Sequence, residues 1–482
     1  MFGLIIIKRI MKHALNITRE ENFPEWYQEV VAKADLAENS STRGAMVIKP
    51  YGYTIWENIK NALDKKIKEH GVQNACFPAL IPVELMEREA EHVSGFAKEC
   101  VVITHHRLIE KDGELLPDGK LEKPYILRPT SETIIGESFS KWVKSYRDLP
   151  LKINQWANVF RWEMRPRLFL RTSEFFWQEG HCAFATQKEA DENARTMLDV
   201  YNDIFENYLA IHGICGQKTE DEKFAGADKT YTMESMMQDG KALQSCTSHN
   251  LGQNFAHASN IKFTNENQEE QFAWTSSWGF STRSIGGLIM SHSDDDGLVL
   301  PPMIAPYQVV IIPVIHDETK AESIKEYCNK IKIGLNCRVL IDDSYDTPQN
   351  KKWNWVRKGA PLRLEIGERD MENNSIFFVR RDKIMEKNSL PFEEFIEKCQ
   401  SILDDLQNCL LQKTKENLEK NTIRVETIEE LKKLAVSNIK FFNIPFKFFG
   451  DKELQEFMDA NALSFRCIPF NESDRVIVAK SY

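Results

Sequence analysis

The stretch VFRWEMRPRLFLRTSEFFWQEGH, residues 159–181, combines the alternation of a β-strand with four arginines and three glutamates. In a strand, Arg161 and Glu163 point to one face while Phe160 and Trp162 point to the other. A solvated surface strand rarely carries so many aromatic side chains together with so much charge. A fold that contains this stretch has to supply partners for the charged face, either from the protein or from a ligand.

The second half of the same stretch predicts a hairpin. We expect a turn at residues 165–167, after which the chain returns as a second strand. In a regular return strand, one face carries Arg171, Trp177, Glu179 and His181. Guanidinium groups bind phosphate bidentately, a carboxylate accepts from an amine and a ring can stack, so this patch suits a nucleotide. A salt-bridged rim of a sheet explains the stretch alone equally well.

ILRPTSET, residues 126–133, offers an oxygen and a carboxylate in a turn after a proline. Thr130 and Glu132 are the side chains concerned, and together they can hold a small ammonium group. The same pattern is typical of a helix cap, so the stretch leaves both interpretations open.

ALQSCTSHNLGQNF, residues 242–255, is predicted to be a polar loop that leads into a helix. The amides at a helix N-terminus favour an anion or a polar ligand, which the loop could help to bind. The side chains that it contributes are Gln244, Thr247, Ser248 and His249. The alternative is an ordinary capped helix with His249 half-exposed.

SSWGFSTRSIGGLIMSHSDDDGLVLPP, residues 276–302, sets Arg283 just before an Ile-Gly-Gly-Leu run. Paired glycines allow the backbone to approach a sheet or a ligand closely. Arg283 is therefore expected at a crowded point of the fold.

With 482 residues, the chain is long enough for about three domains. Prolines interrupt it at 301–306, before a continuous apolar run that reads as a buried strand. Strands predicted at 308–315, 337–341, 362–367 and 375–381 alternate with helices at 318–333 and 349–358, which indicates an α/β domain. Apolar residues at helical spacing from 395 to 410 then predict a connecting helix. We expect domains at 1–300, 301–405 and 406–482.

The large N-terminal domain shows a different pattern, in which helical stretches such as 53–70 and 187–212 separate β-rich runs. This indicates an α+β fold around an antiparallel sheet.

The net charge of −10 argues against a generic polyanion binder, so a nucleic-acid partner has to be inferred from particular residues. Ten scattered cysteines without a C-x-x-C pair favour a reducing cytoplasm. The apolar run at 4–7 is too short for a signal or a membrane span, and we expect residues 1–10 to be a dispensable extension before Met11.

These motifs, in this order, resemble those of class II aminoacyl-tRNA synthetases, and specifically prolyl-tRNA synthetases of the archaeal and eukaryotic type. IWENIKNALDKKIKEHGVQNACFPALIP, with Pro78, resembles motif 1 of that family. Arg161 and Glu163 match the Arg-x-Glu hairpin of motif 2, and Arg283 matches the arginine of motif 3. RPTSET, FLRTSEFFWQEGH, EKFAGAD, TSHNLGQNF and GLVLPP are also similar to the family, and the likeness runs from about residue 14 to the end.

The resemblance implies an α+β class II catalytic domain, followed by an α/β anticodon-binding domain and a small C-terminal α/β domain. It implies that L-proline is activated with ATP to prolyl-adenylate and transferred to the 3′ end of tRNA(Pro). The substrate carboxylate is the nucleophile, so the site needs charge neutralisation and positioning rather than a base. The family's catalytic arginines correspond to Arg161 and Arg283.

The resemblance also carries over the two substrate sites. The implied ATP site consists of Arg161, Glu163, Arg171, Thr172, Gln244, Thr247, Ser281 and Arg283, with Mg²⁺ arriving with the nucleotide. The implied proline site consists of Thr130, Glu132, Arg161, Trp177, Glu179, His181, Phe224 and His249. Candidates for reading the anticodon are Arg357, Lys358, Arg363 and Glu365, with Arg380 and Arg381 on the next strand.

A homodimer is expected from the likeness to motif 1, with neither a membrane nor DNA as a partner. The apolar side chains Trp56, Ile59, Leu63 and Ile67 either contribute to that interface or form the core face of a helix. Only 120 residues separate Glu163 from Arg283, so we expect no inserted domain that edits alanyl-tRNA.

The C-terminal region departs from relatives that bind zinc through four cysteines. Phenylalanine and leucine stand where the first two ligands would fall, the later pair is missing near residues 471–474, and Cys467 alone cannot build a tetrahedral site. We expect a domain without structural zinc. The terminal KSY does match the family, which makes Tyr482 a candidate anchor near the active site, against a frayed end as the alternative.

Two other functions fit part of this pattern. A threonyl, seryl or glycyl synthetase would have similar motifs 1 to 3, but SEFFWQEGH and TSHNLGQNF favour proline. An RNA-binding or regulatory paralogue would have no reason to retain Arg161, Glu163 and Arg283 together.

Overall fold

The computed structural model describes residues 14–87, 99–437 and 439–482, and the expected extension at 1–10 and Met11 lie outside them. The chain divides into two compact units. The smaller is drawn from Met1–Ala37, Lys49–Tyr53 and His292–Leu410. The larger is drawn from Glu38–Ile48, Thr54–Ser291 and Leu411–Tyr482.

Strands are numbered along the chain. The first part of the chain contains β1 (Ala37–Asn39), β2 (Met46–Ile48), β3 (Gln73–Asn74), β4 (Leu80–Pro82), β5 (Val101–Lys111), β6 (Glu114–Leu127), β7 (Leu151–Phe160) and β8 (Glu174–Phe184). There follow β9 (Gly213–Gln217), β10 (Lys229–Met236), β11 (Ala242–Gly252), β12 (Lys262–Thr264), β13 (Glu270–Phe272) and β14 (Trp274–Ser281). The remaining strands are β15 (Val309–Pro313), β16 (Val339–Ile341), β17 (Leu362–Ile366), β18 (Ser375–Arg380), β19 (Asn388–Pro391), β20 (Thr422–Arg424), β21 (Phe441–Pro445), β22 (Leu463–Pro469) and β23 (Arg475–Lys480).

Helices are numbered in the same way among the described residues. The first seven are α1 (Arg19–Lys33), α2 (Pro50–Glu69), α3 (Val83–Glu87), α4 (Glu132–Trp142), α5 (Gln187–Asp203), α6 (Asn254–Ser259) and α7 (Arg283–His292). The others are α8 (Ala321–Gly334), α9 (Pro348–Arg357), α10 (Glu368–Glu372), α11 (Phe392–Asn421), α12 (Ile428–Ser437) and α13 (Lys452–Ala460).

The larger unit is built on an eleven-stranded sheet, as far as the described residues go. Its strand order is β20-β21-β23-β22-β9-β10-β11-β14-β8-β7-β3. Neighbours are antiparallel from β21 to β7, and the two edge pairs, β20 with β21 and β3 with β7, are parallel. The predicted antiparallel sheet with flanking helices is therefore confirmed. The sequence did not indicate that the last strands of the chain would continue the same sheet.

One face of the sheet's centre is an aromatic core. Trp278 and Phe280 of β14 are almost fully buried, and Tyr201 and Phe205 from α5 and the π-turn after it pack on them. The ring centroids of Phe280 lie 5.7 Å from those of Tyr201 and 5.2 Å from those of Phe205. Since side chains alternate along a strand, this packing directs the neighbouring residues of β14 to the opposite face.

A glycine holds the central strands at their spacing. A Cβ atom at Gly180 on β8 would lie 2.1 Å from the ring of Trp278, its partner on β14. The indole thus occupies the space that a side chain at position 180 would need. This close approach fixes β8 against β14, the two strands that carry most of the polar face.

The smaller unit contains the predicted α/β domain. Its sheet has the order β16-β15-β17-β18-β19, with β15 parallel to both β16 and β17. The predicted strands and helices between 308 and 381 are present with ends shifted by a few residues. The core of this domain is made largely by β15, β17, α8 and the first turns of α11.

Two sequence expectations, one about residues 242–252 and one about the hairpin, are wrong. Residues 242–252 form strand β11 rather than a polar loop, so Gln244, Thr247 and His249 do not stand at a helix N-terminus. The turn expected at 165–167 lies at 167–171, where Arg167 and Arg171 pair, so Arg171 is outside the return strand β8.

The motif 1 helix α2 presents its apolar stripe to the interior of the chain. Its four side chains are buried within one protomer: Trp56, Ile59, Leu63 and Ile67. Of the two alternatives that the sequence left open for them, the core face of a helix is the one observed.

No helix in the described part of the chain has the length and apolar character needed to cross a membrane. In the same residues, no group of three or more His, Cys, Asp and Glu side chains is arranged to hold a metal ion.

Candidate active site

The polar face of the sheet forms a grid whose rows are set by strand register. In one row, His249 of β11, Ser277 of β14 and His181 of β8 lie side by side. In the next row, Thr247, Gly279 and Glu179 occupy the same three strands. Residues two apart in a strand share a face, so both rows belong to one surface.

Glu179 is the most tightly held side chain of this grid. Its Oε1 accepts hydrogen bonds from Ser131 Oγ at 2.5 Å and from Gln155 Nε2 at 2.9 Å, and its Oε2 lies 3.0 Å from His181 Nε2. Burial by itself would raise the pKa of Glu179, but His181, Ser131 and Gln155 outweigh it and lower that pKa. Glu179 is thus a fixed, buried anion.

The two histidines of the grid differ in charge. Burial by itself would lower the pKa of His181, but Glu179 and Glu132 outweigh it and raise that pKa. Burial and the neighbouring His181 lower the pKa of His249 to about 3. His249 is therefore a neutral ring, while the contact with Glu179 favours the protonated form of His181.

His249 belongs to an aromatic corner of the site. Its ring centroid lies 4.7 Å from that of Phe224, and its Nδ1 lies 3.0 Å from Thr230 Oγ1. The Thr230 hydroxyl already accepts the Phe224 amide, so its proton is available to donate to Nδ1. This favours the tautomer of His249 with its proton on Nε2.

Thr130 and Glu132 stand at the start of α4 but do not cap it through their side chains. The N-cap residue is Ser131, and its hydroxyl bonds Glu179 rather than the helix backbone. The Thr130 hydroxyl donates to the Glu132 carboxylate. These side chains face the site, so helix capping does not account for them.

Arg161 follows the last residue of β7 and lies against two aromatic rings. Its Nε donates to the backbone oxygen of Pro129 at 2.9 Å, and its guanidinium carbon is 5.5 Å from the ring centre of Trp177 and 5.8 Å from that of Phe175. Burial lowers its pKa, while Glu132, Glu99 and Glu179 act in the opposite direction. Packing and charge thus fix a cation at the rim of the grid.

Arg283 is the first residue of α7, and its Nε lies 3.3 Å from the backbone oxygen of Leu170. Burial and the repulsion of Arg171 and Arg161 lower its pKa to about 10. The side chain remains a cation at neutral pH. Arg161, Arg171 and Arg283 thus converge closely enough for the other two to lower the pKa of Arg283, which is an arrangement suited to a polyanionic ligand.

The grid and its rim enclose a cavity of about 310 Å³. All eight residues predicted for proline line it: Thr130, Glu132, Arg161, Trp177, Glu179, His181, Phe224 and His249. Besides Arg161, which was predicted for both ligands, four residues predicted for ATP line it: Gln244, Thr247, Ser281 and Arg283.

A second cavity of about 190 Å³ adjoins the first at Arg161, Phe175, Ser281 and Arg283. It is lined by the remaining residues predicted for ATP, which are Glu163, Arg171 and Thr172. Arg171 enters it from the turn at 167–171, and the Thr172 hydroxyl donates to the backbone oxygen of Glu174 at 2.8 Å. The two cavities together offer an arginine-rich end and a carboxylate-rich end.

Sequence reasoning missed several residues that line the larger cavity: Phe175, Glu222, Thr230, Ser245, Cys246, Ser277, Trp278, Gly279 and Phe280. A usable signal existed for the strand TSSWGFS, where Ser277, Gly279 and Ser281 alternate with large aromatic residues. A Cβ atom at Gly279 would meet only the backbone oxygen of Gln178, at 3.7 Å. Gly279 therefore keeps the centre of the grid open.

The anticodon candidates lie in the smaller unit and do not form one exposed group. The Arg363 side chain is buried in β17 and its Nε donates to Glu365 Oε1 at 2.9 Å. Lys358 Nζ lies over the rings of Tyr51 and Trp355, at 5.3 and 5.5 Å from their centres. Arg357 ends helix α9.

The last residues of the chain reach the larger unit's site. The backbone oxygen of Tyr482 accepts from Arg171 Nη2 at 3.2 Å, and its phenol donates to Asp239 Oδ2 at 2.6 Å. Its backbone amide donates to the backbone oxygen of Ala242 at 3.1 Å. Of the two alternatives that the sequence left open for Tyr482, the anchored residue is the one observed.

Two family models match this chain. The model of the tRNA synthetase class II core domain (G, H, P, S and T) matches residues 117–292, and the model of the anticodon binding domain matches residues 308–402.

Two proteins of similar sequence are proline–tRNA ligases. A proline–tRNA ligase of Protochlamydia amoebophila is 50% identical over 478 residues, which cover 96% of this chain and 94% of that protein. A proline–tRNA ligase of Paramagnetospirillum magneticum is 45% identical over 500 residues, which cover 99% of this chain and 100% of that protein.

Solved structures agree over nearly the whole chain. The crystal structure of prolyl-tRNA synthetase from Cryptosporidium parvum complexed with L-proline and AMP has a TM-score of 0.89 at 36% identity and covers 97% of both chains. The same enzyme complexed with halofuginone and AMPPNP has a TM-score of 0.90 at 36% identity, again covering 97% of both chains.

We expect the two histidines of the site to titrate far apart. His249 should stay neutral from about pH 5 to pH 8, whereas His181 should gain its proton at a pH above its ordinary pKa of 6.5. The stability that neutral His249 contributes is present above pH 6.5 and is lost as the pH falls toward its folded pKa of about 3. The contribution of His181 is present below 6.5 and is lost as the pH rises through its raised pKa.

The measurement is NMR titration of the protein labelled with ¹⁵N-histidine, with signals assigned through His249→Gln and His181→Gln. A His249 signal that moves with a midpoint near 6.5 would contradict the lowered pKa of this ring.

Proposed function

The chain belongs to the prolyl-tRNA synthetases, which are ATP-dependent proline–tRNA ligases, and we propose that its two adjoining cavities hold proline and ATP for the activation step. The observation that carries this proposal is the convergence of all eight candidate proline residues on one cavity, with Arg161 and Arg283 shared by both cavities. The enzyme converts proline and ATP to prolyl-adenylate and pyrophosphate, and then transfers proline to the 3′ end of tRNA with release of AMP.

The proline end is the part of the grid around Glu179. Proline carries a secondary ammonium, and the fixed anion of Glu179, together with Thr130 and Glu132, supplies acceptors for it. Trp177 and the neutral Phe224–His249 pair supply apolar walls for the ring. His181 acts through Glu179, because its hydrogen bond orients that carboxylate.

The arginine-rich end suits the phosphates. Arg161 lies between the two cavities, so it is placed to contact both the carboxylate of proline and the α-phosphate, while Arg283 binds the distal phosphates. The proline carboxylate attacks the α-phosphorus and pyrophosphate leaves. Since the nucleophile is already ionised, the side chains need only align the two anions and neutralise the charge that develops.

The adenosine end lies in the smaller cavity. We assign Glu163 and Thr172 to the adenine, and the other ATP contacts to Arg171, Gln244, Thr247 and Ser281. The solved relative from Cryptosporidium parvum holds L-proline and AMP in one complex, which supports two adjacent subsites.

We propose that Mg²⁺ binds to the enzyme together with ATP. Mg²⁺ usually binds through phosphate oxygens, water and one or two carboxylates, and it neutralises phosphate charge when bound. Glu99 and Glu163 are carboxylates at the border of the smaller cavity, and Glu163 is already assigned to the adenine. Glu99 is therefore the carboxylate that we propose for holding Mg²⁺, since it is an oxygen donor of the kind that this ion prefers.

For the rest of the enzyme, we propose tRNA(Pro) as partner, with the α/β domain of the smaller unit reading the anticodon through Arg357, Lys358, Arg363 and Glu365. We also propose a cytoplasmic homodimer with domains at 1–300, 301–405 and 406–482, without a structural zinc and without editing of alanyl-tRNA. A regulatory paralogue is the competing function, and only activity excludes it.

The first test is ATP–pyrophosphate exchange with each of the standard amino acids. We expect strong exchange with proline and a weaker signal with alanine, because a pocket built for a larger ring rejects a smaller side chain only weakly. Arg161→Met should lower exchange about 10²–10³-fold, the range for removing one group that stabilises transition-state charge. Arg167→Met is the matched control, since that exposed arginine of the same loop lines neither cavity.

ATP–pyrophosphate exchange with an amino acid other than proline, and none with proline, would mean that the amino-acid pocket is misassigned. No exchange with any amino acid, from a folded protein, would favour the regulatory paralogue.

Gly279→Val tests the open centre of the grid. We expect the added side chain to fill ligand space and weaken proline binding by roughly 1–3 kcal/mol, the cost of inserting methyl groups into occupied volume. Folding should be preserved, because a Cβ atom at this position meets nothing closer than 3.7 Å. Exchange kinetics and urea unfolding measure the two quantities.

The matched control is Gly180→Val on the neighbouring strand, where the Cβ atom would lie 2.1 Å from Trp278. That variant should lose folding stability. If Gly279→Val binds proline normally, the ligand does not lie over the centre of the grid.

Arg363→Met tests the proposed anticodon domain. Arginine is the usual partner of a guanine edge, so a base reader should lose charging of wild-type tRNA(Pro) more than charging of an anticodon-altered tRNA. Aminoacylation of both tRNAs is compared at several concentrations. Equal losses would reduce Arg363 to a structural partner of Glu365, in line with its burial.

A further inference from the structure

Arg466 extends from β22 toward the face of the sheet that carries the cavities. Its Nε and Nη2 donate to Glu234 Oε2 at 3.0 and 2.8 Å. Glu234 is on β10, two strands away, and β9 lies between them. Gly216 of β9 permits the approach, since a Cβ atom there would be 2.4 Å from the backbone oxygen of Ile468. The contact thus joins the C-terminal strands to the strands of the active site.

The other oxygen of Glu234 is also engaged. Lys218 Nζ lies 2.9 Å from Oε1, as an ion pair without the alignment of a good hydrogen bond, and the Thr232 hydroxyl donates to the same oxygen at 3.0 Å. Glu234, Lys218 and Arg466 are all nearly inaccessible to solvent. Burial by itself would raise the pKa of Glu234, but Lys218 and Arg466 outweigh it and lower that pKa. One buried carboxylate therefore faces two buried cations.

Glu234 sits at an irregularity of the sheet. The register between β10 and β11 shifts at Met233 and Glu234, which pair with Cys246 and Gln244 respectively. A β-bulge of this kind changes the direction of neighbouring side chains and often lies beside an active site. Residues 244–247 of the bulged region line the larger cavity.

Thr232 connects the carboxylate to that region. Its hydroxyl lies 3.0 Å from Glu234 Oε1 and 3.2 Å from the backbone oxygen of Cys246. Thr232 also pairs with Thr247 across the two strands. The single hydroxyl proton is shared between the oxygens of Glu234 and Cys246, so Thr232 links the position of the Glu234 carboxylate to the backbone of β11 that carries Gln244 and Thr247.

We propose that Arg466 is a positioning residue for ATP, which holds Glu234 at the bulge and thereby fixes the direction of Gln244 and Thr247. The inference rests on the proposed role of these two residues in ATP binding. It gives the C-terminal strands a part in the activation step, although none of their residues lines either cavity.

Arg466→Met is expected to raise the KM for ATP about tenfold, equivalent to about 1.4 kcal/mol, in ATP–pyrophosphate exchange. The KM for proline should change by less than about twofold, because Glu179 and its partners lie on other strands. Arg466→Lys should recover part of the loss, since an amine restores the charge but not the pair of guanidinium hydrogen bonds to Glu234 Oε2.

The control for a general loss of packing is Arg475→Met. Arg475 is equally buried in β23, but it bonds Val425, Glu426 and Asn443 within the C-terminal region. The Arg475→Met variant should lower the melting temperature of the protein without changing its KM for ATP. An Arg475→Met variant that raises this KM as much as Arg466→Met would overturn the proposal, because any damage to the region would then suffice.

Thr232→Val provides a second variant in case Arg466→Met does not fold. It keeps the volume and all charges, and removes only the hydroxyl between Glu234 and Cys246. We expect the same selective rise in the KM for ATP. An unchanged KM for ATP in folded Arg466→Met or in Thr232→Val would overturn the proposal.

Gln244→Ala separates this inference from the proposed function on which it rests. If Gln244→Ala raises the KM for ATP and the Arg466 and Thr232 variants do not, the assignment of the ATP site is supported and the positioning role of Arg466 is wrong. If Gln244→Ala has no effect either, the assignment of ATP to this part of the cavity is itself wrong.

Discussion

The register of β11, β14 and β8 is the constraint on which the rest of the site depends. Trp278 packs over Gly180 on one face, and this single contact fixes the spacing and pairing of two strands. A slip by one residue would exchange the two faces and send Ser277, Gly279 and Glu179 into the aromatic core. Packing on the aromatic face of the sheet therefore determines the geometry of its polar face. The aligned side chains of the site are carried by strands rather than by loops.

Charge is distributed over this scaffold in a way that folding alone would not favour. Glu179 has three hydrogen-bonding partners and is satisfied without a ligand, whereas Arg161, Arg171 and Arg283 repel one another at the other end. Like charges held close together raise the free energy of the ligand-free state and are relieved when an anion binds. The arginine end is thus preorganised for phosphate, which removes the need for charges to move into place during the reaction.

The sequence predicted the α/β domain because that domain follows local patterns, and continuous apolar runs located β15 and β17. The two sets of site residues came instead from the resemblance to a family. Strand alternation does not describe Arg161 and Glu163, because β7 ends at Phe160. Sequence reasoning failed at β11, because a strand that contains Gln, Ser, Thr and His at successive positions lacks the apolar alternation that marks strands. Its backbone is paired on one side by β10 and on the other by β14, which no local pattern in residues 242–252 indicates. Sequence reasoning also misplaced the turn of the hairpin, where Phe169 adopts a positive φ that no residue type at that position signals.

The continuation of the main sheet by the C-terminal strands was beyond local patterns for the same reason, and it explains how this region is held. Val476 and Val478 of β23 belong to one apolar cluster with Phe465, while β22 pairs with β9 of the catalytic sheet. Cys467 is fully buried in a second apolar cluster, which includes Met236 and Ala242 of the catalytic sheet, and burial raises the pKa of its thiol. Strand pairing and apolar burial therefore stabilise this region, and the shared sheet couples the C-terminal strands directly to the strands beside the cavity.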